Sequence, residues 1–255
     1  MIMKISDNII DERENMKYKK IVRAKFISRL NRFVAQVLLN GEKVLVHVKN
    51  TGRCRELLLP DTAVYLEDFI GRLGNRKYLY DLIAVEKGGL LINMDSQAPN
   101  KVVKEALENG NIKLPDMSEL KLIRPEKVYC DSRFDFYVED KNGEKGFIEV
   151  KGVTLENNGI ALFPDAPTER GVKHLRELVK AKSEGFHAYI LFVIQMSGMK
   201  LFTPNYATHK AFGEELRYAA ENRVHVLAYE CSVTHDSLEI TKTVPVKINA
   251  RSSSK

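Results

Sequence analysis

The segment Ser132–Lys151, SRFDFYVEDKNGEKGFIEVK, constrains the fold more tightly than any other part of the chain. Two apolar-rich runs, Phe134–Val138 and Phe147–Val150, flank a polar stretch containing Asn142-Gly143, so the segment reads as a β-hairpin. Its register can be argued from the side chains. A two-residue loop at Asn142-Gly143 pairs Phe136 with Glu149 and Phe134 with Lys151, which mixes apolar and charged groups on both faces. A three-residue loop, Lys141-Asn142-Gly143, puts Gly143 at the left-handed position such a loop requires. It pairs Phe134 with Val150 and Phe136 with Ile148 on one face. On the other face Asp135 lies opposite Glu149, with Lys151 two residues further along. The three-residue register is therefore expected.

Two carboxylates facing each other across a ladder repel. Either one of them is protonated or both hold a cation. Convergent carboxylates suit Mg²⁺, a hard ion that prefers oxygen ligands, and Mn²⁺ is the alternative. Lys151 beside them can steer a water or stabilise a developing phosphoryl charge. The plainer reading of the same residues is a solvated hairpin face with an ordinary Glu–Lys pair.

With 255 residues, one large or two modest domains are expected. A hydrophobic content of 44% supports a real core. Lys and Arg number 40 against 34 Asp and Glu, a formal excess of +6, which permits a polyanionic partner. Cys54, Cys130 and Cys231 lie far apart with no CxxC or Cys/His cluster. Neither a disulfide framework nor a zinc site is expected; buried or inert thiols in a reducing cytoplasm are. The charged N-terminus has no apolar core of signal-peptide length, and no stretch approaches a membrane span.

Residues 18–95 read as all-β. Phe33–Leu39 and Glu42–Val48 flank Asn40-Gly41, and here a two-residue turn brings Val37 to Val44, Ala35 to Val46 and Phe33 to Val48. With strands at Lys20–Leu30, Ala63–Phe69, Tyr78–Val85 and Leu90–Met94, a small OB-like barrel is expected, with a sandwich as the alternative. The stretch Asn50–Leu57, NTGRCREL, forms a turn, with one or two helical turns over Arg53–Leu59. Arg53 and Arg55 in it are candidate phosphate contacts.

Residues 96–250 read as a second, mixed α/β domain, so the chain is α+β overall. Pro99 starts a helix over Lys101–Asn109, and Glu105 on it is a candidate third metal ligand. A strand at Leu120–Cys130, interrupted by Pro125, precedes the hairpin, and Gly159–Phe163 follows it. Thr168 caps a helix with an apolar stripe at Val172, Leu175, Leu178 and Val179. The run His187–Met196 suits a strand buried on both faces. A helix at about Tyr206–Asn222 and a last strand, Val224–Val233, complete an α/β sandwich with a mixed sheet. At the start of the Thr168 helix, Arg170 and Lys173 are candidate phosphate clamps and His174 a candidate proton donor or phosphate contact.

NTGRCRELLLPD, SRFDF, FIEVKGVTL and ALFPDAPTERGVKHLREL together resemble the sugar fermentation stimulation protein (SfsA) family, over Tyr18 to about Tyr229. Residues 1–17 lie outside the pattern as an extension. The resemblance implies an OB-like domain followed by a PD-(D/E)xK, restriction-endonuclease-like domain, DNA binding, and a link to sugar-utilisation genes, including maltose metabolism. By motif, Asp135 is the first acid, Glu149 the second and Lys151 the lysine; Phe134 stands where the usual Pro precedes the acid. Two functions follow. One is a Mg²⁺-dependent nuclease using Asp135, Glu149 and Lys151, assisted by Arg170 or His174. The other is a non-catalytic DNA-binding regulator with a vestigial site. No helix-turn-helix stands out, so DNA binding of weak sequence specificity is expected.

Overall fold

The computed structural model describes residues 16–248 apart from Thr51 and Arg53, so most of the expected N-terminal extension lies outside the described residues. The N-terminal half contains β1 (Ile21–Asn31), β2 (Val34–Leu39), β3 (Glu42–Val48), β4 (Ala63–Asp68), β5 (Tyr80–Lys87) and β6 (Leu90–Asn93). They run in the order β3-β2-β1-β4-β5-β6, and a parallel pairing of β3 with β5, His47↔Asp81 and Val48↔Leu82, closes the first five into a barrel. The Asn40-Gly41 hairpin has the expected register, with Val37↔Val44 and Ala35↔Val46. Ala35, Val37, Val46 and Val48 are fully buried inside the barrel. Period-2 alternation and closure remove the free edges that a sheet of this size would expose. Within the expected helical stretch Arg53–Leu59, the described residues make a single turn in which Leu57 and Leu58 donate to the Cys54 carbonyl.

The second half contains α1 (Ala98–Glu108), β7 (Leu120–Tyr129), β8 (Ser132–Asp140), β9 (Lys145–Val153), β10 (Leu155–Asn157), β11 (Ile160–Phe163), α2 (Glu169–Ser183), β12 (His187–Ile194), β13 (Leu201–Pro204), α3 (Lys210–Glu221), β14 (His225–Val233) and β15 (Leu238–Thr243). The main sheet is mixed and ordered β15-β14-β12-β9-β8-β7, with β9, β12 and β14 parallel. β12 is buried along almost its whole length, as its unbroken apolar run requires. Val102, Val103, Ala106 and Leu107 of α1 pack with Phe136, Ile148 and Leu191. Val172, Leu175 and Leu178 of α2 and Phe212 and Leu216 of α3 pack with Ile190 and Phe192. Alternate residues of β12 thus serve two separate layers.

Four sequence expectations are corrected. β7 runs straight through Pro125, because β7 is an edge strand and a missing N–H there costs no ladder bond. α3 begins at Lys210 rather than Tyr206, because the Asn205 side chain holds Asn205–Thr208 in a turn of its own. The short strands β13 and β15 follow and interleave elements that the sequence pattern left as loops. Cys54 and Cys231 are buried, but Cys130 is exposed with its Sγ 3.2 Å from Lys180 Nζ.

The two halves share a buried polar joint. Asp95, fully buried, pairs with Lys49, accepts from Tyr18 Oη at 3.3 Å and receives the Gln97 N–H at 2.9 Å. Gln195 of the second half donates to Asn93 and to the Asp95 carbonyl. Removing one partner of a buried pair strands the other charge, at a cost of about 3–5 kcal/mol. Lys49→Ala is therefore expected to lose about that much stability in urea unfolding. Because the joint spans both halves, they should still unfold in one transition. A loss below about 1 kcal/mol would show that Asp95 is held by its hydrogen bonds alone.

Candidate functional site

The expected hairpin register is present: Phe136↔Ile148, Val138↔Gly146 and Glu139↔Lys145, closed by the three residues Lys141-Asn142-Gly143 with Gly143 at φ +87°. The ladder stops at Phe136↔Ile148. One residue further, Val150 N–H donates to the Asp135 carboxylate, Oδ2, at 2.7 Å. The expected pairs Phe134↔Val150 and Asp135↔Glu149 are therefore not ladder pairs. The side chain has taken the place of the backbone acceptor, and β8 leaves β9 at this point. Phe134 packs instead with Phe147, ring centroids 5.2 Å apart, and edge-on to His174.

Asp135 Oδ1 accepts from Asn100 Nδ2 at 2.8 Å. Asn100 lies in the first turn of α1, a stretch that reads in sequence only as the end of a polar linker. Gly152 lets that turn come close: a Cβ there would stand 2.9 Å from Pro99 Cγ and 2.6 Å from Gln195 Oε1. The residue after Lys151 is thus small for a packing reason, and the packing delivers Asn100 to Asp135.

Glu149 is buried. Its Oε1 accepts from Lys151 Nζ at 2.5 Å and from His174 Nδ1. His174, buried on α2, receives the Arg170 Nε–H on Nε2 at 3.3 Å. That assigns the ring proton to Nδ1, the atom that donates to Glu149. Glu149 Oε2 is buried and has no hydrogen-bond partner. A buried carboxylate oxygen left without a donor costs free energy.

The two acids are driven apart electrostatically. Burial and then the Glu149 charge raise the Asp135 carboxyl above the usual aspartate range, against the pull of Val150 N–H, Asn100 and Lys151. Burial also works against the charge on Glu149. The His174 hydrogen bond and the Lys151 ammonium outweigh it and hold Glu149 below its ordinary value. Glu149 is the more acidic member of the pair, and Asp135 is the harder to ionise until something compensates its charge.

The other candidates fall differently. Glu105 does not reach the pair; its Oε2 accepts the Met16 N–H at 3.1 Å, because it faces away from the first turn that carries Asn100. Both ring nitrogens of His174 are engaged, so it acts on Glu149 rather than contacting a phosphate. Arg170 is exposed beside it. Lys173 bonds to the Asp131 carbonyl at 3.0 Å and pairs with Glu177, away from the carboxylates. Arg55 is exposed in its turn, and Arg53 lies outside the described residues. The barrel loop meets the segment just ahead of α2: a Cβ on Gly52 would stand 2.5 Å from Asp165 Oδ2. Among the described residues, no group of three or more His, Cys, Asp or Glu side chains is placed to hold a metal ion, so any ion here rests on two carboxylates and backbone oxygen.

The sugar fermentation stimulation protein RE domain matches residues 97–237, and the SfsA N-terminal OB domain matches residues 27–94. The chain belongs to the SfsA family. Sugar fermentation stimulation protein homologs of Desulfitobacterium hafniense and Clostridium beijerinckii are each 53% identical to it, over 91% of this chain and 99% of theirs. The homolog of Clostridium acetobutylicum is 53% identical over 88% of this chain and 95% of its own. A solved structure of Pyrococcus furiosus SfsA in complex with Ca²⁺ superposes with a TM-score of 0.81 at 26% identity, covering 91% of this chain and 98% of that one. The barrel and the mixed-sheet domain are thus the SfsA architecture.

The raised Asp135 carboxyl makes a pH prediction for this SfsA-family chain. A carboxyl that holds its proton more tightly in the fold contributes stability that is fully present below its unfolded value and is lost as pH rises through the raised one. Asp135→Asn copies the neutral form, and the Asn100 amide can turn to suit it. By differential scanning calorimetry without divalent ions, the variant should melt no lower than wild type at pH 8. Wild type should gain on it as pH falls toward 5. A variant that melts clearly lower at pH 8 than wild type, but not at pH 5, contradicts the raised Asp135 carboxyl.

Proposed function

We propose that the chain binds DNA and hydrolyses its phosphodiester bonds with a divalent cation, Mg²⁺ or Mn²⁺, held by Asp135 and Glu149. The observation that carries this reading is Glu149 Oε2, buried beside a second carboxylate with no donor from the protein. Hard oxygen donors fit such a cation, which compensates both the orphaned oxygen and the repulsion that raises Asp135. Within a strand, a residue's C=O leaves on the same side as its N–H, so the Val150 carbonyl also faces the gap where β8 departs and is the third oxygen of the proposal. The Pyrococcus furiosus relative was solved in complex with Ca²⁺, another hard cation, and this supports the same donor chemistry.

Bound there, the cation acidifies water and polarises a phosphoryl oxygen. The chain's own groups do the rest. Lys151 Nζ, held on Glu149 Oε1, orients the attacking water and stabilises charge on the phosphate. His174 fixes the Glu149 rotamer and Arg170 fixes His174, leaving the exposed guanidinium edge to meet a phosphate. Asn100 holds Asp135. The family name supports placing this activity in sugar use, through DNA.

Incubation with plasmid and oligonucleotide DNA plus Mg²⁺ or Mn²⁺ tests the proposal. Wild type should cleave, EDTA should stop it, and Asp135→Ala and Lys151→Ala should each lose at least about a hundredfold in rate. Equal cleavage by wild type and variants would falsify the assignment. Binding without cleavage in any of the three leaves the non-catalytic regulator.

A further inference from the structure

Two of the three thiols are sealed in the interior. Cys54 and Cys231 are buried, and burial pushes the Cys54 thiol up to about 12 and raises Cys231 as well. Cys130 is exposed. It is the first residue of the two-residue turn that joins β7 to β8, closed by the ladder pair Tyr129↔Ser132. Its φ of +47° lies in the left-handed region, where a β-carbon is strained. The hairpin gains nothing from a cysteine there. A strained side chain at such a position points to a use outside the turn.

That side chain has a reaction partner on another element. Lys180 Nζ of α2 donates to Cys130 Sγ at 3.2 Å, across 50 residues of chain. The contacts on either side join the same two pieces. Lys173 Nζ donates to the Asp131 carbonyl at 3.0 Å, and Tyr129 Oη donates to the Glu184 carboxylate at 2.6 Å. Lys173, Lys180 and Glu184 are seven and then four residues apart, so they share one face of the helix and its cap. Three successive residues, Tyr129, Cys130 and Asp131, are thus laid along that face, and the outer two hold sulfur and amine in register. The bond to Cys130 raises the Lys180 ammonium above the usual lysine range, so the amine keeps its proton while the sulfur is reduced.

We propose that Cys130 and Lys180 form a covalent sulfur–nitrogen cross-link when the chain meets hydrogen peroxide. The reaction balances in two steps. In the first, the sulfur attacks the peroxide and the O–O bond breaks. The sulfur is oxidised to a sulfenic acid, and the second peroxide oxygen leaves as water with the thiol proton. That step also removes the partner that raises Lys180, which then gives its ammonium proton to water. In the second step the free amine attacks the sulfenic sulfur. An S–N bond forms, the S–O bond breaks, and the hydroxyl leaves as water with a second amine proton. Two equivalents of an added thiol reverse the link and leave as a disulfide. The link joins the turn that leads into β8, five residues ahead of Asp135, to the helix that carries His174. Oxidation therefore braces two elements that carry the carboxylate site.

Mass spectrometry of the full chain after mild treatment with hydrogen peroxide tests this. Wild type should become lighter by two hydrogen atoms and show no disulfide-linked dimer on a non-reducing gel. Digestion should yield the Cys130 peptide joined to the Lys180 peptide, and dithiothreitol should separate them. Because the link closes a loop of 50 residues, treated wild type should melt at least about 5 °C above the reduced chain. Peroxide should leave the melting temperature of Cys130→Ser unchanged. Lys180→Arg keeps the cation and removes the condensing amine. It should accumulate a Cys130 sulfenic acid that dimedone traps, and wild type should not. Equal dimedone labelling of wild type and Lys180→Arg, with no joined peptide, overturns the proposal. So does a Cys130 disulfide between two copies, or oxidation confined to the methionines.

Discussion

The bond from Val150 N–H to the Asp135 carboxylate is the contact on which the rest of the site depends. A backbone donor inside a sheet must have an acceptor, and here a side chain supplies it. Because it does, β8 stops pairing with β9 after Phe136, and a gap opens beside Glu149 and Lys151. An intact ladder would have closed that gap with backbone. The same bond fixes the Asp135 rotamer and turns its other oxygen to Asn100. One hydrogen bond thus converts a regular hairpin into a place where the half-buried Asp135 lies beside the buried Glu149.

The hairpin and the barrel were legible because their information is local. Alternation with period 2 and the chemistry of Asn-Gly turns decide which residues face each other, and both registers followed from asking which pairing keeps charge and hydrocarbon on separate faces. Asn100 was not legible, because nothing local distinguishes it from a linker asparagine. Its role comes from Gly152 admitting the start of α1, a contact across some fifty residues of chain. Glu105 looked better by residue type and failed by geometry, since one helical turn and a half separate it from the end that touches β9. β15 escaped notice for a further reason: as an edge strand it buries only Leu238 and Ile240, too few alternations to set a pattern.

The buried joint between the halves explains how a loop of the barrel comes to lie against the segment ahead of α2. Lys49 is the last residue before the Asn50–Leu57 stretch, and Asp95 is the last before the turn that enters α1. Pairing them in the interior fixes two loop origins relative to each other. Ser96 Oγ bonding back to the Lys49 carbonyl adds a second tie at the same point. Asn100, five residues beyond Asp95, inherits its position from the barrel as much as from its own helix.

Charge then explains why the architecture needs both halves. Two carboxylates side by side repel a polyanion, and a single lysine already paired with Glu149 does little to offset that. A domain balanced in charge and centred on such a pair exerts no net attraction on a polyanion by itself. The barrel holds the whole formal excess, and its loops are stitched to the carboxylate domain by Arg29, Gly52 and Asp165. Attraction and chemistry are thereby separated onto two joined surfaces. The acid site can thus keep the low-lying Glu149 and the raised Asp135 while the positive field is carried by the barrel.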